Sequence, residues 1–235
     1  LVHTALVALL VTDASNPPPS FLCVRQYDLR IVRDGIYYAC GVTLVGLVLS
    51  NFAMPWLGIP FYVGAAFCLY FFRDPDRFAP AGDVMVAPAD GKVVSVRAIN
   101  PDRTRISIFL NIFNVHVNRS PVAGSILDIE YRRGKFKVAS LEEASAENEQ
   151  NTFTVESGGS RIVFSQIAGL IARRIVCYKK PGDRVEIGER IGLIKFGSRM
   201  DVFFGPEWAP SVKSGQKVSA GVTVLAERKI AGVQP

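Results

Sequence analysis

Three polar residues stand at the ends of apolar, strand-like runs, and their types are those of an activated nucleophile. Ser198 lies in Ile191–Phe203, directly after Gly197. His116 lies within Phe109–Pro121 and is one of only 2 histidines, the other being His3 near the start of the chain. Asp90 follows the apolar residues Val86–Ala89 and precedes Gly91. A serine hydroxyl is a poor nucleophile near neutral pH, and histidine is the side chain whose ordinary pKa of about 6.5 best suits it to take the hydroxyl proton. A carboxylate can orient the imidazole and stabilise its charged form. Taken singly, Gly-Ser and Asp-Gly read as turns and a lone histidine as a satisfied one. The 4 cysteines, Cys23, Cys40, Cys68 and Cys177, show no paired spacing, so neither a metal site nor a disulfide framework is indicated.

The elements around these residues divide the chain in two. From Gly35 to Phe72 no Asp, Glu, Lys or Arg occurs, and this run carries most of the excess behind a hydrophobic fraction of 49% and a mean hydropathy of +0.24. As one helix it would extend about 57 Å, nearly twice the hydrocarbon thickness of a bilayer. Pro55, Gly58 and Pro60 interrupt it, so two apolar helices are expected, Ile36–Phe52 and Phe61–Phe72, joined by Ala53–Pro60. Arg25, Arg30 and Arg33 before the run, with Arg73 and Arg77 after it, favour both ends on the cytoplasmic side of a membrane. A net charge of +6 and a pI near 9.3 suit an anionic lipid surface. No nucleic-acid-binding motif is present. Residues 1–24 lack a basic stretch before their short apolar run, and read as a poorly ordered extension rather than a cleaved leader.

Beyond Arg77 the chain is expected to be mainly β. Strand-like runs occupy Val84–Val86, Lys92–Ala98, Arg105–Ile112, Ser125–Tyr131, Thr152–Ser157 and Arg161–Ile167, with a hairpin signal at Ser157–Ser160. The rhythm of Lys180–Lys195 resembles the sandwiched barrel of lipoyl and biotin carriers. One polar, helix-prone stretch, Ser140–Gln150, is expected to form a lid or surface helix. The organisation predicted is a mainly β (α+β) fold: an extension at 1–24, a membrane-associated helical hairpin at 25–77, and a barrel-sandwich-like catalytic domain at 78–235.

Phe72-Arg-Asp-Pro75, Pro88-Ala-Asp-Gly-Lys-Val93, Asn111-Ile-Phe-Asn-Val-His-Val-Asn-Arg119, Glu147-Asn-Glu-Gln-Asn151 and Phe196-Gly-Ser-Arg-Met-Asp-Val202 occur together and in this order. In this the chain resembles the short form of the phosphatidylserine decarboxylases, over about Arg33 to Ala226. Longer members carry Leu-Gly-Ser-Thr at the cut, where this chain has Phe-Gly-Ser-Arg. They also have a second histidine where Arg119 stands here, which makes Arg119 a candidate to hold the substrate carboxylate or phosphate.

The resemblance implies a zymogen. The Ser198 hydroxyl would attack the Gly197 carbonyl, aided by His116 as base with Asp90 orienting it. Gly197, without a Cβ, tolerates a strained backbone there. Elimination and hydrolysis would leave ammonia and a pyruvoyl cofactor at position 198. The products, chains 1–197 and 198–235, would stay together as a heterodimer, with further oligomerisation open. The pyruvoyl group would form a Schiff base with phosphatidylserine, and after loss of carbon dioxide His116 would protonate the α-carbon, hydrolysis then releasing phosphatidylethanolamine. The expected location is the cell membrane, with the catalytic domain on the cytoplasmic face. Two alternatives stay open: an archaetidylserine decarboxylase with the same chemistry, and a non-catalytic barrel-sandwich adaptor on a membrane hairpin. A serine hydrolase is disfavoured because no Gly-x-Ser-x-Gly elbow surrounds Ser198.

Overall fold

The computed structural model describes residues 29–139, 143–170, 175–195 and 198–229. The extension expected at 1–24 and the Gly197 side of the expected cut lie outside these residues. Strand β1 (Leu29–Ile31) leads into α1 (Arg33–Phe52), a 3₁₀ turn at Pro55–Gly58, α2 (Ile59–Phe71), and β2 (Arg73–Pro75), which returns antiparallel on β1. The two helices are those predicted. Pro60 sits in the first turn of α2, where its missing N–H has no helical partner to lose. The helices cross closely because Gly58 lacks a side chain: a Cβ there would collide with Ser50 Oγ and lie 2.7 Å from the Gly46 carbonyl. Their outer faces stay apolar and open. Leu44, Trp56 and Val63 are each more than 60% exposed, and only 17% of the apolar window of α1 is buried, so α1 is not a core helix of this fold. Among the described residues it is the one helix long and apolar enough to cross a membrane; α2 is shorter.

The remaining elements are β3 (Val84–Val86), β4 (Gly91–Asn100), β5 (Arg103–Leu110), β6 (Val117–Arg119), β7 (Gly124–Arg132), the short helix α3 (Ala144–Glu147), β8 (Gln150–Ser157), β9 (Ser160–Ala168), β10 (Ile175–Cys177), β11 (Arg184–Val185), β12 (Arg190–Ile194), β13 (Ser198–Phe204), β14 (Trp208–Pro210), β15 (Lys217–Val218) and β16 (Val224–Arg228). One eight-stranded sheet runs β11-β7-β8-β9-β13-β5-β4-β15 and curls into a half-barrel, flanked by the three-stranded sheets β10-β12-β6 and β14-β16-β3. The mainly β class predicted from the sequence is the one observed. Gly158 and Gly159 take φ of +52° and +78°, the left-handed pair that a tight hairpin between β8 and β9 requires. Met85, Ile106, Ile108, Phe153, Phe164, Met200, Val202 and Leu225 are fully buried and belong to the principal core.

Two local expectations change. Of the helix predicted over 140–150, residues 140–142 lie outside the described residues, and α3 ends at Glu147 because Asn148 is drawn into the sheet: its side-chain amide bonds both the N–H and the carbonyl of Lys137 and the carbonyl of Ala168. Strand β5 stops at Leu110 rather than Ile112, because Asn111 and Asn114 close a turn with their own side chains.

The hairpin is fastened to the barrel by packing and charge. Phe71 and Phe72 form a second apolar cluster with Val115, Val117 and Leu193. Asp74, buried, takes an Arg119 donor at 2.8 Å and is also paired with Arg190, which reaches Asp76 at 3.1 Å. Lys195, buried, pairs with Asp34 of α1 at 2.7 Å. Such pairs cost desolvation, so they fix the orientation of the hairpin more than they stabilise the fold.

Candidate active site

Ser198 opens β13, the central strand of the large sheet, between β5 and β9, opposite Leu110 on one side and Ala168 on the other. Side chains alternate along a strand, so Ser198 shares its face with the core residues Met200 and Val202. It is fully buried, and its Oγ has no hydrogen-bond partner among the described residues.

His116 is brought to the same end of the sheet. The pairings on either side of it are both antiparallel: Leu110 pairs with Ser198, Val117 pairs with Leu193, and the Ile194 N–H donates to the His116 carbonyl at 3.4 Å. The imidazole is fully buried and stacks on Phe71 with centroids 4.1 Å apart. Its Nδ1 lies 2.9 Å from the Asn114 carbonyl. A carbonyl only accepts, so Nδ1 carries the proton and the lone pair is left on Nε2. That Nε2 is buried and, among the described residues, unpartnered. Burial, with a smaller contribution from Arg73 and against the Asn114 bond that raises it, pushes the His116 pKa down to about 4. The ring is therefore neutral near pH 7, a base with a free lone pair.

A third buried polar atom lacks a partner. Asn151 Nδ2 donates to Gln166 Oε1 at 3.3 Å, and Gln166 Nε2 donates to Asn118 Oδ1 at 2.8 Å. This chain of amides fixes which way Asn118 faces and leaves its Nδ2 as a buried donor with no acceptor among the described residues. Gln166 is opposite Met200, hence on the face of Ser198, and Asn118 is two residues beyond His116. A hydroxyl, an imidazole nitrogen and an amide donor thus stand without partners, among the described residues, in one part of the barrel.

Residues 65–226 match the family described as Phosphatidylserine decarboxylase. A protein of Solibacter usitatus named Phosphatidylserine decarboxylase proenzyme is 57% identical over 85% of this chain and 98% of its own length. Proteins of the same name from Rickettsia akari and Rickettsia felis are each 44% identical over 87% of this chain and 94% of their own. The chain belongs to the phosphatidylserine decarboxylase family.

Two of the residues that the family resemblance singled out make their hydrogen bonds elsewhere than to His116 or Ser198. No hydrogen bond joins Asp90 to His116: Asp90 accepts from Arg77 at 3.0 Å and from the Ala220 N–H at 2.8 Å, and Asn114 occupies the position at Nδ1 expected of the carboxylate. Asp90 instead lines a cleft of about 400 Å³ with Lys92, Asn111, Asn114, Lys217 and Ser219, next to the His116 loop. Arg119 is buried and spends its guanidinium on Asp74, the Pro75 carbonyl and the Gly188 carbonyl, so in this family member it ties barrel to hairpin. Among the described residues no cluster of His, Cys, Asp or Glu is arranged to hold a metal ion.

Sequence reasoning missed Asn118, Gln166, Asn114, Phe71 and Lys195. Phe71 precedes a recognisable motif but reads as one more apolar residue of a helix. Lys195 carried a usable signal: a lone cation inside an apolar strand, three residues before the candidate serine.

Proposed function

We propose that the chain is a precursor that cuts itself between Gly197 and Ser198, and that the mature two-chain enzyme decarboxylates phosphatidylserine to phosphatidylethanolamine. The observation that carries this reading is the pair of buried, unpartnered atoms, Ser198 Oγ and His116 Nε2, on segments paired on either side of His116. An unsatisfied buried polar atom costs about 1–3 kcal/mol, a cost that a purely structural role would not justify.

His116 takes the hydroxyl proton of Ser198 on Nε2 as the oxygen attacks the neighbouring carbonyl, and its neutral form at pH 7 suits that task. Asn118 Nδ2 supplies the donor for negative charge growing on a carbonyl oxygen. Asp90 acts at one remove, by holding Arg77 and Ala220 at the mouth of the neighbouring cleft. The surroundings of Ser198 fit a pyruvoyl group: they are dry, and β13 is held by both neighbours, so a chain beginning at 198 would keep its place. That group, once formed, supplies an electron sink for the charge left behind when carbon dioxide departs. During turnover His116 holds the proton that is delivered to the substrate α-carbon.

The apolar hairpin supports a membrane location, and Arg30, Arg33, Arg73 and Arg77 at its two ends support the cytoplasmic face of the cell membrane for the barrel. Intact-mass analysis of enzyme extracted from membranes tests the proposal. Two chains are expected, the smaller with a carbonyl-reactive, blocked N-terminus. A single 25.7 kDa chain in fully active enzyme would overturn it.

A further inference from the structure

The loop Asn111–Asn114 is held as a rigid apolar tip. Asn114 Oδ1 accepts from the Asn111 N–H at 2.9 Å, Asn111 Oδ1 accepts from the Phe113 N–H at 2.9 Å, and the Asn114 N–H donates to the Asn111 carbonyl at 3.1 Å. The Phe113 carbonyl takes two further donors, Arg73 Nη2 at 2.8 Å and the Tyr70 hydroxyl at 3.3 Å. These bonds do not tuck the apolar side chains away. Phe113 is 60% exposed and Ile112 36%.

The tip continues a lipid-like surface. The Phe113 ring meets the edge of Phe67 of α2, with centroids 6.5 Å apart. Val63, Phe67 and Tyr70 follow one another at helical spacing along one face of α2, and Val63 and Tyr70 are exposed. Arg73 lies over the Tyr70 ring at 3.8 Å, an aromatic–cation pair of the kind that marks a membrane–water boundary. The same loop ends in Asn114, whose carbonyl fixes the His116 tautomer.

We propose that Ile112 and Phe113 insert into the head-group region of the bilayer as a contact separate from the hairpin, and so hold the His116 loop at the lipid surface. This rests on the membrane reading of the hairpin given above. The occupant is lipid because the patch is continuous with a hairpin whose first helix is long and apolar enough to span, and because it is edged by a cation. A second copy of the chain is the alternative that the experiment must exclude.

The test uses the full chain in vesicles containing anionic lipid and lipids brominated at shallow or deep acyl positions. Trp208, buried in the barrel core, is common to both samples and gives the background emission; one sample keeps Trp56 in the hairpin turn as the reporter, and another carries Phe113→Trp with Trp56→Phe, which moves that second indole to the loop. The loop indole should be quenched most by the shallow bromines. Quenching of Trp56 without quenching of the loop indole overturns the loop contact and leaves the hairpin reading standing. Quenching of neither overturns both. A loop-indole emission shifted to the blue but indifferent to bromolipid assigns the tip to a protein contact and also overturns the proposal. In a second measurement, Ile112→Ser with Phe113→Ser should weaken vesicle binding about tenfold. Turnover of a detergent-dispersed short-chain substrate should be unchanged; equal losses in both assays would mean that the tip serves the fold and would overturn the lipid contact.

Discussion

Strand β13 carries buried polar side chains on both faces, and its own residues are partnered differently on the two. On one face Ser198 Oγ has no partner among the described residues, and His116 Nε2 and Asn118 Nδ2 nearby have none either. On the other, one residue further along, Arg199 Nε donates to Asp201 Oδ1 at 2.7 Å, Arg199 Nη2 donates to Ser107 Oγ at 2.7 Å, and Ser145 Oγ donates to Asp201 Oδ2 at 2.6 Å. Ser198, Arg199 and Asp201 are all essentially inaccessible to solvent, so burial does not distinguish the faces. For the side chains of β13 itself, partnering does. The partnered Arg199 and Asp201 hold the strand in register, while the unpartnered Ser198 is the residue given the attacking role in the proposed function.

Removing the nucleophile should have the largest effect. Ser198→Ala is expected to leave the precursor as one 25.7 kDa chain with no decarboxylase activity, seen on a denaturing gel and in a lipid assay, while the fold survives. Appearance of a chain beginning at 198 in that variant would remove the serine from the scheme. Next comes the donor. Asn118→Leu should slow formation of the smaller chain about a hundredfold, the usual scale for losing one donor to a developing oxyanion. Gln166→Leu, which frees the Asn118 amide to turn, should slow it less. Cutting at the parental rate in Asn118→Leu would show that its unused N–H serves only the barrel.

The opposite face predicts instability in place of inactivity. Asp201→Asn weakens the charge-assisted bonds that Asp201 accepts from buried Arg199 and from Ser145 and should cost about 1.5–3 kcal/mol, measured by denaturant unfolding in the Ser198→Ala background. Replacing both members, Arg199→Met with Asp201→Leu, should recover most of that loss. A double variant no better than the single one would mean that the pair sets the register of β13 and does more than balance charge.

How much of this was legible in the sequence follows the same division. The apolar hairpin, the β-rich domain and the Gly158–Gly159 turn are local patterns, and period, proline and glycine disclose them. His116 stood out as one of 2 histidines, and Ser198 by the distinctive segment around it. The Asp90 reading departs from the geometry because nothing in residue type tells a carboxylate that orients a histidine from one that pairs with an arginine. The choice was made by Arg77 and the Ala220 N–H, which are 13 and 130 residues away in sequence. Arg119 was drawn to Asp74 in the same way, across 45 residues. Which polar atoms would end up without partners is a property of the packed chain alone.

The last effect expected concerns acid. In the folded chain His116 titrates at about 4, chiefly through burial, and in the unfolded chain near its ordinary 6.5. Between these values the unfolded chain binds the extra proton, so protonation favours unfolding. The stability that comes from keeping the ring neutral is complete above about pH 6.5 and is lost as the pH falls towards 4, up to about 3 kcal/mol in all. The comparison to make is Ser198→Ala against Ser198→Ala with His116→Gln, because carboxylates common to both cancel. The parent should lose more stability over that window. Phe71→Leu separates the causes: it removes the ring stacked on the imidazole and admits water, so the His116 pKa should rise and the acid-sensitive window should narrow. An unchanged window would place the dry wall of the site elsewhere, in Val115, Val117 and Leu193, and would leave the hairpin as an anchor that does not tune the base.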